Sequence, residues 1–115
     1  MSVPLALVAD DNPHTRAMLK RALEAMGYTV VTVPDGRVAL SVLEENHFDR
    51  VFLDVMMPHV DGFEVLRWIR AHPTKKQTWV CLLTPMAQDR QVFERLPYRA
   101  DHHVHYPYTT VPLIP

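Results

Sequence analysis

Cysteine is almost missing from this sequence. The single one, Cys81, lies in an apolar run, so a structural disulfide within the chain is excluded. A reducing cytoplasm is the natural compartment for such a chain. Net charge is almost missing as well: 12 basic against 13 acidic residues leave −1. That removes any general electrostatic reason to expect direct contact with nucleic acid or anionic lipid. No apolar run approaches the ~18 residues of a membrane span. The first residues lack the basic start and long apolar core of a signal peptide. Repeats and low-complexity tracts are absent too. What is present is a chain of 115 residues, 48% apolar and 22% charged, enough for one domain around one core over residues 1–115.

The pattern of that chain is an alternation. Leu5 to Ala9 is a continuous apolar run, which suits a strand buried on both faces. Asp10 and Asp11 follow it. Asn12 and Pro13 then open a helix as N-cap and first helical residue. Met18, Leu19, Ala22, Leu23 and Met26 form its apolar stripe, and Gly27 stops it. Thr29 to Val33 is β-branched throughout and predicts a second strand. Pro34-Asp35-Gly36 turns the chain into a second helix, marked by Val38, Leu40, Val42 and Leu43 and ending near Asn46. Val51, Phe52 and Leu53 predict a buried third strand that delivers Asp54 to its C-terminal end. After the loop around Pro58, Asp61 caps a third helix with Glu64 at capping-box spacing. That helix runs from about Gly62 to Ala71, with Phe63, Leu66 and Ile69 on its buried side. Lys75 and Lys76 belong to a solvated loop tip. Trp79 to Leu83 predicts a fourth strand closing on Thr84. The segment Pro85 to Leu96 is a weak helix with Val92, Phe93 and Leu96 at helical spacing. His102 to His105 predicts a short fifth strand. A strand and a helix recur about every twenty residues, the mark of βαβ units, a parallel sheet and helices on both faces.

Three strand ends thus carry polar groups: Asp10 and Asp11, Asp54, and Thr84. In a doubly wound sheet the first and third strands can be neighbours where strand order reverses. The three acids would then stand within a few ångström, and their mutual repulsion calls for a cation. A hard divalent ion with oxygen ligands answers that need, and Mg2+ is the usual occupant where waters and phosphate complete the shell. A carboxylate beside such an ion can attack phosphorus and form an acyl phosphate. A hydroxyl at the next strand end could bond the phosphoryl oxygens, and its rotation would report their presence.

These residues resemble the receiver domain of two-component response regulators. The matching pieces are Asp10-Asp11-Asn12, Asp54 to Pro58 with Asp61-Gly62, Leu83-Thr84, and Ala100-Asp101 followed by Pro107. Their separations are similar too: about thirty residues from Asp54 to Thr84 and about twenty more to Pro107. The resemblance implies a flavodoxin-like (CheY-like) α/β fold with a doubly wound five-stranded parallel sheet. It implies that Asp54 accepts a phosphoryl group from a histidine kinase or phosphotransfer protein, and that Thr84 is the switch hydroxyl. Asp11 would ligate Mg2+ directly, Asp10 partly through water, with Asp54 and the Met56 carbonyl completing the protein ligands. No catalytic turnover is expected. An aspartate-based phosphatase would carry a second acid near the nucleophile, which Asp54-Val55-Met56 lacks.

The sequence also departs from that pattern. Tyr106 stands where the family has a lysine, before Pro107. Tyrosine is neutral and only donates a hydrogen bond, so ~1–3 kcal/mol of phosphate stabilisation is lost on the scale of charge-assisted bonds. Pro107 leaves a cis bond open. Pro85 stiffens the loop after Thr84, His103 takes the place of the switch aromatic, and Arg99 stands where a glycine would ease a left-handed turn. The last helix is shortened or absent, reduced to residues 109–115. Apolar sheet surface is then expected to be exposed, to be covered by a homodimer partner or an output domain, and the chain to be the start of a longer protein or a shortened variant. The alternative to a phosphoacceptor is a degenerate receiver that serves as a protein-interaction module without phosphorylation. His102, His103 and His105 invite a transition-metal reading, but an exposed edge strand is the better explanation. Trp68 and Trp79 are packing residues.

Overall fold

The computed structural model describes residues 3–84, 98–105 and 113–114. In chain order these form β1 (Leu5–Ala9), α1 (Pro13–Ala25), β2 (Thr29–Val33), α2 (Gly36–Glu45), β3 (Arg50–Asp54), α3 (Gly62–Ala71), β4 (Trp79–Thr84) and β5 (His102–His105). The strands make one parallel sheet in the order β2-β1-β3-β4-β5. The strand order reverses between β1 and β3, as the acidic strand ends required. The helix expected over 85–96, Tyr106, Pro107 and the last segment apart from Leu113 and Ile114 lie outside the described residues.

The apolar strands are continuous because both faces of the sheet are covered. Alternate residues point to opposite sides. Leu7, Ala9, Val51, Leu53, Val80 and Leu82 pack against Ala39 and Leu43 of α2 and Val65, Leu66 and Ile69 of α3. Ala6, Val8, Phe52, Cys81, Leu83 and Val104 pack on the other side with Leu19 and Leu23 of α1 and with Leu113. Each large side chain fully buried in this way contributes about 1.5–3 kcal/mol. On that face Ala6, Val8, Phe52, Cys81, Leu83 and Val104 are fully buried, while Val30 and Trp79 are partly buried. Cys81 belongs to this layer, and burial pushes its thiol up to about 12, which makes it an inert packing residue.

The helix faces depart from a purely apolar reading. In α1 the buried residues are Thr15, Leu19 and Leu23, while Met18 and Met26 are exposed. In α2 they are Gly36, Ala39 and Leu43, with Val38 exposed. Gly36 is small because the Val60 backbone crowds it, and Met18 and Met26 are left outside. Both tryptophans do pack. Trp68 lies against the α2–α3 layer, and Trp79 meets Phe52 edge-on at 5.7 Å, with the Arg50 guanidinium 4.8 Å above its ring.

Lys75 is not simply solvated. Its ammonium donates to the Asn46 carbonyl at 2.8 Å and ties the α3–β4 loop to the end of α2. Arg99 carries no left-handed strain; among the described residues the non-glycine with positive φ is His59, at 69°. The Val60 N–H donates to the Pro58 carbonyl at 2.8 Å across it, the i to i+2 bond of a γ-turn, which with positive φ is a strained turn. Glycine at this position removes the clash of a Cβ. His59→Gly is therefore expected to raise stability by about 1 kcal/mol, or ~5 °C in thermal midpoint. Thermal unfolding of the two proteins checks this; an unchanged or lower midpoint contradicts it.

Candidate functional site

The register of the strands sets the site. Ala9 pairs with Leu53, so Asp10 and Asp54 end their strands side by side. Asp54 pairs with Leu83, so Thr84 follows one residue on. The β1–α1 turn is shaped by Asn12, whose side-chain oxygen accepts the His14 and Thr15 N–H groups at 2.8 and 3.3 Å. Asp10 is buried and held at three points. Its N–H donates to the Val33 carbonyl at 3.2 Å, its Oδ1 accepts the Asn12 N–H at 2.8 Å, and its carbonyl accepts Arg16 Nη1 at 2.7 Å. Asp11, next along, is exposed.

On the neighbouring strand, Asp54 is buried at 4% exposure, and its Oδ1 accepts the Met56 N–H at 3.0 Å. The loop after it folds back on itself. Val55 bonds the Leu83 carbonyl through its N–H at 3.0 Å, and the Gly62 N–H reaches the Val55 carbonyl at 3.4 Å. Gly62 abuts the end of β3: a Cβ there would strike the Asp54 carbonyl, whose carbon is 2.9 Å away. Asp61 then caps α3 by accepting the Glu64 N–H at 2.9 Å. Thr84 is fully buried, and its hydroxyl donates to the Val104 carbonyl of β5 at 3.4 Å.

The outcome is the convergence expected of the acids. One carboxylate oxygen each from Asp10, Asp11 and Asp54 lies within 4.8 Å of the others. Among the described residues this is the one group of His, Cys, Asp and Glu side chains placed to share a metal ion. The electrostatic strain is visible at Asp54. Burial lifts its carboxyl from 3.8 to about 7; the Met56 N–H opposes that, while the Asp10 charge and Asp11, through a hydrogen bond and its charge, add to it. The donor set is all oxygen, which fits a hard cation such as Mg2+ and not a soft one. Met56, two residues after Asp54, is exposed.

Similarity to known proteins gives the family. The response regulator receiver domain pattern matches residues 6–114. This chain belongs to that family. The receiver domain is 39% identical over 85 residues to the sensor protein EvgS of Escherichia coli O157:H7, covering 74% of this chain and 7% of EvgS. It thus spans a small part of that relative. The receiver domain of a signal transduction histidine kinase from Syntrophus aciditrophicus superposes with a TM-score of 0.81 at 33% identity, covering 90% of this chain and 79% of that one. The response regulator TrrA of Thermotoga maritima, solved in complex with Mg2+ and BeF, gives a TM-score of 0.78 at 33% identity over 92% of this chain and 89% of that one. Receivers of this family take up phosphate in two-component signalling, and the fold found here is theirs.

Reading the sequence missed Arg16. It stands one helical turn beyond the N-cap Asn12, a spacing that returns its side chain to the turn below. An arginine there, next to two acids, is the signal that could have found it.

Proposed function

We propose that Asp54 is the phosphoacceptor of this receiver and that Asp10, Asp11, Asp54 and the Met56 carbonyl hold a Mg2+ ion. The observation that carries the reading is the meeting of three carboxylates, one of them raised to about 7, at the ends of adjacent strands. Such a cluster is costly without a cation and useful with one. Asp10 already accepts one backbone N–H, so its free capacity is smaller than that of exposed Asp11. This supports Asp11 as the direct ligand and Asp10 as one acting through water. When bound, Mg2+ neutralises charge on the phosphoryl oxygens.

The chain's own groups do the rest. The ionised Asp54 oxygen attacks the phosphorus of a phosphohistidine on a histidine kinase or phosphotransfer protein. The P–N bond breaks, its electron pair stays on the imidazole, and that ring takes a proton from water. The product is an acyl phosphate on Asp54, formed once per transfer, so the domain is a stoichiometric acceptor and not a turnover enzyme. Thr84 releases the Val104 carbonyl and turns its hydroxyl to the new phosphoryl oxygens, which loosens the contact between β4 and β5. An output domain or a protein partner reads that change. The setting is cytoplasmic.

Incubation with Mg2+ and a small phosphodonor, followed by intact-mass measurement, tests the assignment. Addition of one phosphoryl group to the wild type and none to Asp54→Ala is expected. No adduct on the wild type, or the same adduct on the variant, overturns it. Thr84→Ala is expected to accept phosphate while losing the amide shift changes of β5 that accompany phosphorylation; unchanged β5 shifts in the variant contradict its role as the switch.

A further inference from the structure

We propose that Arg16 is a positioning residue for the acid pocket, fixing the Asp10 carbonyl so that the Asp10 and Asp11 carboxylates face Asp54. The proposal rests on the phosphoacceptor reading and extends it to a residue outside the acid set. Asp10 and Asp11 are joined by one peptide, and the direction of its carbonyl decides where both side chains point. That carbonyl accepts a 2.7 Å bond from Arg16 Nη1, short and charge-assisted. On the other side the Asp10 N–H is held by Val33 of β2 at 3.2 Å, and the carboxylate is held by the Asn12 N–H at 2.8 Å. Arg16 is itself anchored, because its N–H bonds the Asn12 carbonyl at 3.0 Å in the first turn of α1. The guanidinium is therefore presented to the loop by a rigid helix whose start is capped by the same loop.

Charge gives the second half of the argument. Three converging carboxylates repel one another, and a turn carrying two of them opens unless something holds it. The chain has only three lysines, Lys20, Lys75 and Lys76, none of them beyond residue 76. In the sequence Tyr106, not a lysine, precedes Pro107. Arg16 brings a permanent cation to the β1–α1 turn without approaching as a competing ligand, since it bonds a backbone oxygen.

Isothermal titration with Mg2+ and thermal unfolding without it test the proposal on the wild type, Arg16→Ala and Arg16→Lys. Outer partners of metal ligands typically carry 10–100-fold in affinity, so Arg16→Ala is expected to weaken Mg2+ binding by about tenfold. Arg16→Lys keeps the charge but not the planar fork and is expected to recover part of it. At saturating Mg2+ the phosphoryl uptake of Arg16→Ala is expected to approach the wild-type rate, because the lost function is placement of ligands and not chemistry. Asp101→Asn, which loosens the far end of the sheet, is expected to lower the thermal midpoint with Mg2+ affinity unchanged, which separates stability from positioning. If Arg16→Ala does not fold, Arg16→Gln carries the test. A folded Arg16 variant without the guanidinium that binds Mg2+ within about twofold of the wild type overturns the proposal alone. A wild type that binds no Mg2+ overturns the phosphoacceptor reading and this inference with it.

Discussion

Asp54→Asn is expected to make the metal-free protein more stable at pH 7 while abolishing phosphoryl uptake. The folded protein raises the Asp54 carboxyl from 3.8 to about 7, chiefly by burial. Between those values the folded state binds more protons at this site than the unfolded state does. Stability therefore falls as pH rises from about 4 to about 7, and the deficit is complete above that. An amide of the same shape keeps an oxygen for the Met56 N–H and removes the charge. The variant should lack this part of the fall, with a midpoint gain at pH 7 of ~5 °C, the shift that roughly 1 kcal/mol gives in a domain of this size. Mg2+ should stabilise the wild type and do little for the variant. Thermal unfolding across pH 4 to 8, with and without Mg2+, measures all of this. A variant less stable than the wild type at pH 7, or a wild type whose deficit grows toward low pH, contradicts the account.

Arg70→Ala is expected to cost about 2–4 kcal/mol, the sum of several charge-assisted bonds and the polar groups left behind. Arg70 stands in the last turn of α3 and fastens three segments. Its Nε donates to the Arg99 carbonyl at 2.8 Å, its Nη1 to the Lys76 and Thr78 carbonyls at 3.0 and 2.6 Å, and its Nη2 to Asp101 Oδ2 at 3.0 Å. The same Asp101 oxygen accepts the Val80 N–H at 2.8 Å, and the Asp101 N–H returns to the Val80 carbonyl at 2.8 Å. The clasp thus starts β4 and β5 in register. The ion pair is not its main strength, because Asp101 is 43% exposed on its side chain and solvent screens it. The bonds to carbonyls are, since Arg70 is only 16% exposed there. Asp101→Ala should therefore cost less than Arg70→Ala in urea unfolding. Equal and small losses for both would show that the clasp is surface decoration.

Much of this molecule was legible before its coordinates. The β-branched run at Thr29–Val33 and the apolar run at Leu5–Ala9 became strands with those bounds, the first by β propensity at the sheet edge and the second because a strand buried on both faces is apolar throughout. Asn12 and Asp61 were legible as caps because their short side chains meet orphan N–H groups at fixed offsets. The meeting of Asp10, Asp11 and Asp54 followed from topology, once β1 and β3 were neighbours. What escaped has a common physical cause. Arg16 and Arg70 act by bonding backbone carbonyls, and a carbonyl has no signature in the sequence. The γ-turn at His59 is a backbone state that the side chain does not announce. Apolarity alone could not tell that Met18 faces outward while Thr15 and Ala39 face in, because burial follows position around the helix and not side-chain polarity.

One measurement reaches the central claim: diffraction from crystals of the wild-type protein soaked in Mn2+ as a stand-in for Mg2+, recorded for anomalous scattering. The account predicts a single strong peak within bonding distance of Asp11 and Asp54 carboxylate oxygens and the Met56 carbonyl. A map with no peak there, or with the ion held elsewhere while the three acids keep apart, would contradict it.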